Sequence, residues 1–360
     1  MLKTKICIKI YLTKIFCDLM KIRNYSDFFS NRTYIIAEIG GNFNSFQEAK
    51  KLILEAKKCG ADAVKIQTYQ AETLASKNAF FDMENTGKIS QYKLFKKYQL
   101  SFEVHKKIFN FVKKINIDFF STPAHKTDLD MLESFGVKIH KIGSDDAVNL
   151  PFLEQVAKTG KIIILSTGMC TLKEVKKSVQ TIMKFNKKIA LLHCVSNYPT
   201  YSGDVNLEAI TTLQKTFPNL PIGYSDHTLS TLSAKASVCY GAKIVEKHFT
   251  LNKKANGPDH KLSCNPNELK ELISSIRQIE KMKGTGIKMP NNTESRNIKN
   301  NRKSIVLEYS VLKGQKINQK IISIKRPGWG IEPKHFKKIL GKKFKRNLKK
   351  DHVLVWSDIF

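Results

Sequence analysis

Residues 162–193 read IIILSTGMCTLKEVKKSVQTIMKFNKKIALLH. Two short aliphatic runs, 162–166 and 189–193, bracket a segment, 172–185, whose apolar residues fall three and four apart. Such runs suit strands buried on both faces, and the 3.6-residue period between them suits an amphipathic helix. Strand, polar turn, helix and strand in that order make a β/α unit.

The same rhythm extends outward in both directions. Strand-like runs fall at 34–38, 63–67, 118–121, 138–142, 162–166, 189–193, 222–224 and 244–247, and helical periodicity at 46–59, 102–114, 172–185, 207–217 and 231–240. Eight β/α repeats over about 250 residues is the size of a TIM (β/α)8 barrel. Residues 267–283 read as its last helix, and 284–302 run polar and rich in Gly, Pro and Asn without periodicity, as a linker does. The remainder carries short strand-like runs at 304–307, 321–324 and 353–356, with turns at Lys313-Gly314 and Pro327-Gly328. The fold expected is therefore α/β: an N-terminal extension at 1–32, a barrel at 33–283, the linker, and a small, mostly β module at 303–360.

A chain of 360 residues that is 41% hydrophobic and 26% charged has the makings of a packed core, which excludes a disordered or collagen-like protein. No apolar run approaches the roughly 20 residues that span a bilayer, so no membrane partner is expected. The net charge of +31 suggests a polyanion partner, but 55 of the 62 basic residues are Lys, spread through every segment among Asn and Ile. Codon bias in an AT-rich genome gives that pattern, whereas surfaces that read bases or phosphates recruit Arg, so no nucleic-acid partner is expected. Seven cysteines, with no C-x-x-C pair and no zinc spacing, point to a reducing, cytoplasmic setting. Lys9 and Lys14 interrupt what would have to be the apolar core of a signal peptide, and the first thirty residues read as a dispensable extension.

A barrel's active site lies at the C-terminal ends of its strands. In order, those ends carry Glu38; Lys65 and Gln67; Ser121-Thr122-Pro123; Lys141 with Ser144-Asp145-Asp146; Ser166-Thr167-Gly168; His193 with Ser196 and Tyr198; Ser225-Asp226-His227; and Glu246-Lys247-His248. One polar strand end is ordinary; eight together point to a site. Lys65 and Lys141 follow apolar residues into the barrel mouth, where a phosphate or carboxylate would satisfy both, the alternative being a lysine that snorkels to solvent or pairs with a local carboxylate. Ser144, Ser166-Thr167-Gly168 and Ser225 offer hydroxyls and amides for an anion cradle. His227 and His248 end consecutive strands and suit a two-ligand divalent cation acting as a Lewis acid, the alternative being a pair of core histidines. Asp226, Glu246 and Asp259 are candidates for orienting them or for proton transfer.

Nine ordered segments then stand out: AEIGGN (37–42), GADAVKIQ (60–67), FSTP (120–123), KIGSDDAVNLPFL (141–153), LSTGM (165–169), LLHCVSNYP (191–199), GYSDHT (223–228), EKHFT (246–250) and GPDH (257–260). Together they resemble the sialic acid synthase family, which includes legionaminic and pseudaminic acid synthases and spore coat polysaccharide synthases. KRPGWGI (325–331) and LGKK (340–343) resemble that family's C-terminal antifreeze-like, or SAF, domain. The resemblance implies condensation of phosphoenolpyruvate with an N-acetylated hexosamine such as N-acetylmannosamine, giving a nine-carbon ulosonic acid and phosphate. By the same resemblance Lys65, Lys141, Ser144, Ser166 and Ser225 bind phosphoenolpyruvate, and His227 and His248 hold manganese or magnesium. Gln67, Ser196 and Tyr198 contact the sugar, and Glu38, Asp146 and Asp259 are catalytic. It also implies a domain-swapped homodimer in which Arg326 reaches the partner's sugar site.

Two departures bear on acceptor choice and phosphate geometry. The family's S-G-E is here Ser144-Asp145-Asp146, and its N-H-x-G is Asn42-Phe43-Asn44-Ser45. Two other functions compete with this one: another phosphoenolpyruvate-condensing barrel, making heptulosonate or octulosonate phosphates, and a non-catalytic basic protein that binds polyanions on a degenerate barrel. Retention of both lysines and both histidines argues against the last.

Overall fold

The computed structural model describes residues 24–83 and 87–360. Among these, eight parallel strands close into a barrel: β1 (Tyr34–Glu38), β2 (Ala63–Thr68), β3 (Asp118–Pro123), β4 (Ile139–Ile142), β5 (Ile162–Ser166), β6 (Ile189–Cys194), β7 (Ile222–Asp226) and β8 (Ile244–His248). Each is followed by a helix: α1 (Phe46–Cys59), α2 (Phe102–Ile115), α3 (Lys126–Ser134), α4 (Leu150–Lys158), α5 (Leu172–Met183), α6 (Glu208–Thr216), α7 (Leu232–Cys239) and α8 (Pro266–Lys283). This is the TIM barrel expected from the β/α rhythm. Among the described residues no helix is long and apolar enough to cross a membrane.

Alternation along the strands sorts the core into an inside and an outside. Tyr34, Ile36, Ala63, Phe120, Ile139, Ile162, Ile164, Ala190, Leu192 and Ile244 pack together in the barrel interior. Their strand neighbours Ile35, Ala37, Val64, Ile66 and Val245 pack outward against helices. Helix α1 supplies Ala49, Leu52, Ile53, Ala56 and Cys59 to that outer layer, starts at a Ser45–Glu48 capping box and stops at Gly60, whose φ of +96° suits glycine.

The barrel closes where its first strand meets its last, with Tyr34 opposite Ile244 and Glu38 opposite His248. A charged seam reinforces the N-terminal end of that closure. The Thr33 amide donates to Glu280 at 2.5 Å, Arg277 donates to the Thr33 carbonyl at 2.8 Å, and Asp62 accepts from Arg32 at 2.5 Å and Arg277 at 3.0 Å.

The described part of the expected N-terminal extension is packed against the barrel. Residues Tyr25–Phe29 form a 3-10 turn that plugs the barrel floor. Phe28 is buried in the interior cluster with its ring edge-on to Tyr34 at 5.3 Å, and the Tyr25 hydroxyl donates to the Ile189 carbonyl at 2.6 Å. An apolar barrel floor needs a cover, and this turn provides it. Residues 1–23 lie outside the described part.

Between β2 and α2 the chain makes an excursion that the sequence reading left unassigned. It comprises short helices at Ala71–Leu74 and Gln91–Tyr98 and an antiparallel hairpin of Phe80–Met83 with Gly87–Ser90.

The chain divides between Gly284 and Thr285 into two compact units. In the second, β9 (Ser304–Leu307) pairs antiparallel with β10 (Ile322–Lys325) over a core of its own that includes Ile305, Leu307, Ile317, Phe344 and Leu354. The run expected as a third strand, 353–356, makes only one bridge, Val353 to Val306, before turning at Trp356–Asp358. Buried Asp358 holds that turn by accepting from the Val355 amide, Arg346 and His352. The expected structureless linker contains a helix, Ser295–Asn301, entered through a turn capped by Asn291. It buries no residue, so it leaves no apolar period in the sequence.

Candidate active site

Every barrel strand ends its inward-facing series in a polar side chain. Glu38 follows Ile36, Lys65 follows Ala63, Thr122 follows Phe120, Lys141 follows Ile139, Ser166 follows Ile164, Cys194 follows Leu192, Ser225 follows Gly223, and Glu246 follows Ile244. One two-residue step along each strand therefore crosses from packed hydrocarbon to a polar floor. Glu38 is fully buried; the other seven line a cavity of about 500 Å³ at the C-terminal mouth, a size suited to small-molecule substrates.

The two lysines of the floor are differently placed. Lys65 is in ion-pair contact with Glu38, lies 3.6 Å from Glu246 and donates to Thr122 at 3.1 Å. Lys141 donates to Ser166 at 2.6 Å and to the Ile142 carbonyl at 2.9 Å, with no carboxylate within ion-pair distance among the described residues. Burial works against the charge of both. It lowers the pKa of Lys141, whereas at Lys65 the attraction of Glu246 and Glu38 outweighs it and raises the pKa. Burial likewise raises Glu38 despite Lys65, but Lys65 and Lys141 overcome it at Glu246 and hold that carboxylate ionised. The expected anionic ligand is thus needed at Lys141, while Lys65 already has carboxylates.

The loop ends above the floor add donors. The Gly168 amide donates to Ser144 Oγ at 3.0 Å, and Ser225 Oγ is 3.4 Å from Glu246. A β-carbon at 168 would run into the hydroxyls of Ser144 and Ser196, so this approach requires glycine.

His227 and His248 face one another with ring centroids 5.4 Å apart, and the Tyr198 ring lies 4.2 Å from the first. His227 Nδ1 is 2.8 Å from the Val195 carbonyl, so Nε2 is the nitrogen left for a ligand; burial works against the charge of this imidazole, but Cys194 outweighs it and raises the pKa. Nδ1 of His248 is buried without a hydrogen-bond partner, 3.6 Å from Asp259. Burial and His227 push the His248 pKa well down, so its imidazole is neutral, and burial with Glu38 pushes Asp259 up to about 7. Among the described residues, no group of three or more His, Cys, Asp or Glu forms a metal cluster. An unpartnered neutral imidazole beside a second one fits a divalent cation that takes two protein ligands and completes its shell from water and substrate.

The cavity brings together Lys65, Gln67, Lys141, Ser144, Ser166, Ser196, Tyr198, Ser225, His227, His248 and Asp259, with Glu38 beneath. Asp146, expected to be catalytic, does not line the cavity, whereas its neighbour Asp145 does. Backbone bonds from Asp146 to Gly143 and from Ala147 to Ser144 wind this segment into a turn, in which Asn149 binds the Asp146 carboxylate at 2.9 Å. Burial pushes that carboxyl up to about 6. Phe43, where the family pattern has histidine, is buried in the outer core, and Arg326 belongs to the second unit. Sequence reasoning named Thr122 only as part of the polar strand end Ser121-Thr122-Pro123 and missed Cys194, which inward alternation to the strand end would have found. Cys194 Sγ lies 3.8 Å from His227 Nδ1; burial raises its pKa, but His227 and Lys141 outweigh that and lower it.

A sequence profile described as the NeuB family matches residues 52–288. The chain belongs to the NeuB family. It is 41% identical over 331 residues to the N,N'-diacetyllegionaminic acid synthase of Campylobacter jejuni, covering 90% of this chain and 99% of that one. To the human N-acetylneuraminate-9-phosphate synthase it is 31% identical over 329 residues, covering 89% and 91%. The crystal structure of the N-acetylneuraminic acid synthetase of Leptospira borgpetersenii superposes with a TM-score of 0.68 at 34% identity, over 75% of this chain and 91% of that one. NeuB membership makes this chain an enzyme of the synthase type; the acceptor has to be read from the cavity.

Proposed function

We propose that this NeuB-family enzyme condenses phosphoenolpyruvate with the open-chain aldehyde of an N-acetylated hexosamine such as N-acetylmannosamine, giving a nine-carbon ulosonic acid and inorganic phosphate. One observation carries this reading: Lys141, a buried ammonium without a carboxylate partner, shares a cavity with Ser144, Ser166 and Ser225 and with two facing imidazoles. A small molecule with a carboxylate and a phosphate supplies the charge that Lys141 lacks.

The methylene carbon of phosphoenolpyruvate attacks the aldehyde carbon, and the alkene electron pair becomes the new C–C bond. The aldehyde oxygen takes a proton, and the carbon bearing the phosphate is left cationic. Water adds there and loses a proton, and collapse breaks the C–O bond to phosphate, leaving the ketone. Glu38 and Glu246, buried beside Lys65, place negative charge under the cationic centre. Asp259 gives the proton to the aldehyde oxygen, and Asp145 is the lining carboxylate available to receive the proton of water. His227 and His248 would hold a divalent cation, manganese or magnesium, which supplies Lewis acidity toward the aldehyde oxygen.

The second unit is proposed to be the SAF domain, with Arg326 serving the sugar site of a second copy in a cytoplasmic homodimer. Arg326→Ala should raise the KM for the sugar several-fold and leave that for phosphoenolpyruvate unchanged; unaltered sugar saturation would remove the claim. The reaction itself is tested by phosphate release from phosphoenolpyruvate with manganese, before and after chelation, offering N-acetylmannosamine, a diacetamido hexose and arabinose 5-phosphate. Chelator-sensitive release with an acetamido sugar is the expected result. Release with arabinose 5-phosphate alone would favour the heptulosonate or octulosonate type, and release with none would sink the assignment.

A further inference from the structure

Behind the two facing histidines lies a pair of side chains that the proposed reaction does not use. Asp226 and Lys247 stand opposite one another in the β7–β8 register, one residue before His227 and His248. Alternation turns the histidines into the cavity and this pair outward toward the helices, where both are fully buried and joined at 2.9 Å. Their outward neighbours two residues along, Tyr224, Val245 and Phe249, belong to the apolar outer core. The pair also brackets the first histidine. Asp226 Oδ1 accepts from the Thr228 amide at 2.9 Å and Lys247 Nζ donates to the Thr228 carbonyl at 2.5 Å, so both ions hold the residue that follows His227. The same Oδ1 accepts from the hydroxyl of Ser233, in the first turn of α7, at 3.0 Å and from the Tyr224 hydroxyl at 3.2 Å.

We propose that the Asp226–Lys247 ion pair is a positioning element that fixes the distance and angle between the His227 and His248 imidazoles, and through them the affinity for a divalent cation. The inference rests on the metal reading of the two histidines given above. Two ligands on separate strands hold one cation only while their spacing is kept, here 5.4 Å between ring centroids with the rings inclined at 62°. The β7–β8 ladder ends at Asp226 opposite Lys247, so relative to each other the histidines lie one step past the last paired residues. The ion pair is the side-chain tie at that last step. A buried ion pair is a poor source of stability, because apolar residues of like volume do as well or better in its place. What it adds over them is direction: aliphatic side chains would fill the space but could not hold Thr228 by both its amide and its carbonyl.

The test measures manganese binding to the full chain without substrates, from the electron paramagnetic resonance signal of the free ion, alongside thermal denaturation. Asp226→Leu combined with Lys247→Met removes both charges and keeps the packing volume. This double variant should melt no lower than the wild type and bind manganese at least about tenfold more weakly. Ser233→Ala keeps the ion pair but removes one of the three hydrogen bonds to Oδ1, and should weaken binding about threefold. Phe28→Ala, which loosens the interior cluster at the other end of the barrel, should lower the melting temperature and leave the affinity unchanged. If the double variant does not fold, the comparison of Ser233→Ala with Phe28→Ala decides. Wild-type affinity in the double variant, or in Ser233→Ala where that comparison decides, overturns the inference and leaves the metal site standing. An equal loss of affinity in Phe28→Ala does the same. A wild-type chain that binds no manganese overturns the metal reading and the inference together.

Discussion

Lys65 and Lys141 occupy equivalent strand ends, yet their removal should have unequal consequences for stability. Lys65→Met leaves Glu38 and Glu246 buried without their cation, which should cost about 3–5 kcal/mol in urea denaturation. Lys141→Met removes a buried charge that makes no ion pair and only helps to hold Glu246 ionised, so it should cost less than Lys65→Met while losing turnover of phosphoenolpyruvate. Equal destabilisation by the two changes would contradict the pairing described. A second contrast concerns Asp145 and Asp146: Asp145→Asn should lower kcat/KM at least about tenfold and more than Asp146→Asn does, because only the former lines the cavity. The candidate lysines, serines and histidines were legible because each follows an apolar strand and therefore points where its strand ends. The choice between two adjacent aspartates was not, since it depends on a turn whose backbone bonds leave no periodic trace.

Helices and strands were legible in proportion to how regularly they bury residues. All eight barrel strands show as apolar runs, while the excursion hairpin, with four-residue strands and exposed or half-buried positions, shows no pattern at all. Strands β7 and β8 also carry an outward-facing pair next to the histidines: Asp226 and Lys247, both fully buried and 2.9 Å apart, tie the two strand ends together. Helix α3 hides a pH-sensitive element. Asp128 in its first turn is buried, and burial pushes its carboxyl up to about 6. A carboxyl raised by folding stabilises the native state below its unfolded value of roughly 4, and that contribution is lost as pH rises through the folded value. Asp128→Asn should therefore raise the melting temperature at pH 8 and change it little at pH 4; an equal gain at both would show that the carboxyl titrates normally.

At the scale of the molecule, the repeat count fixed the barrel before any contact was known, because eight β/α units admit one closed arrangement with the strands parallel. The floor plug escaped notice because one aromatic turn ahead of the first strand carries no repeat signature. Phe28→Ala should cost about 3–5 kcal/mol by opening the interior cluster, and thermal denaturation of the otherwise intact chain will show whether it does.

Closure by the first and last strands also sets an order of events during synthesis. β1 finds β2 within a few dozen residues, but its other edge is bonded to β8, whose Ile244 pairs with Tyr34. At roughly 5–20 residues per second, a ribosome leaves that edge bare for on the order of ten to forty seconds. An unpaired edge is a template for other chains, so nascent chains and products truncated before Ile244 are the forms of this protein that most need a chaperone.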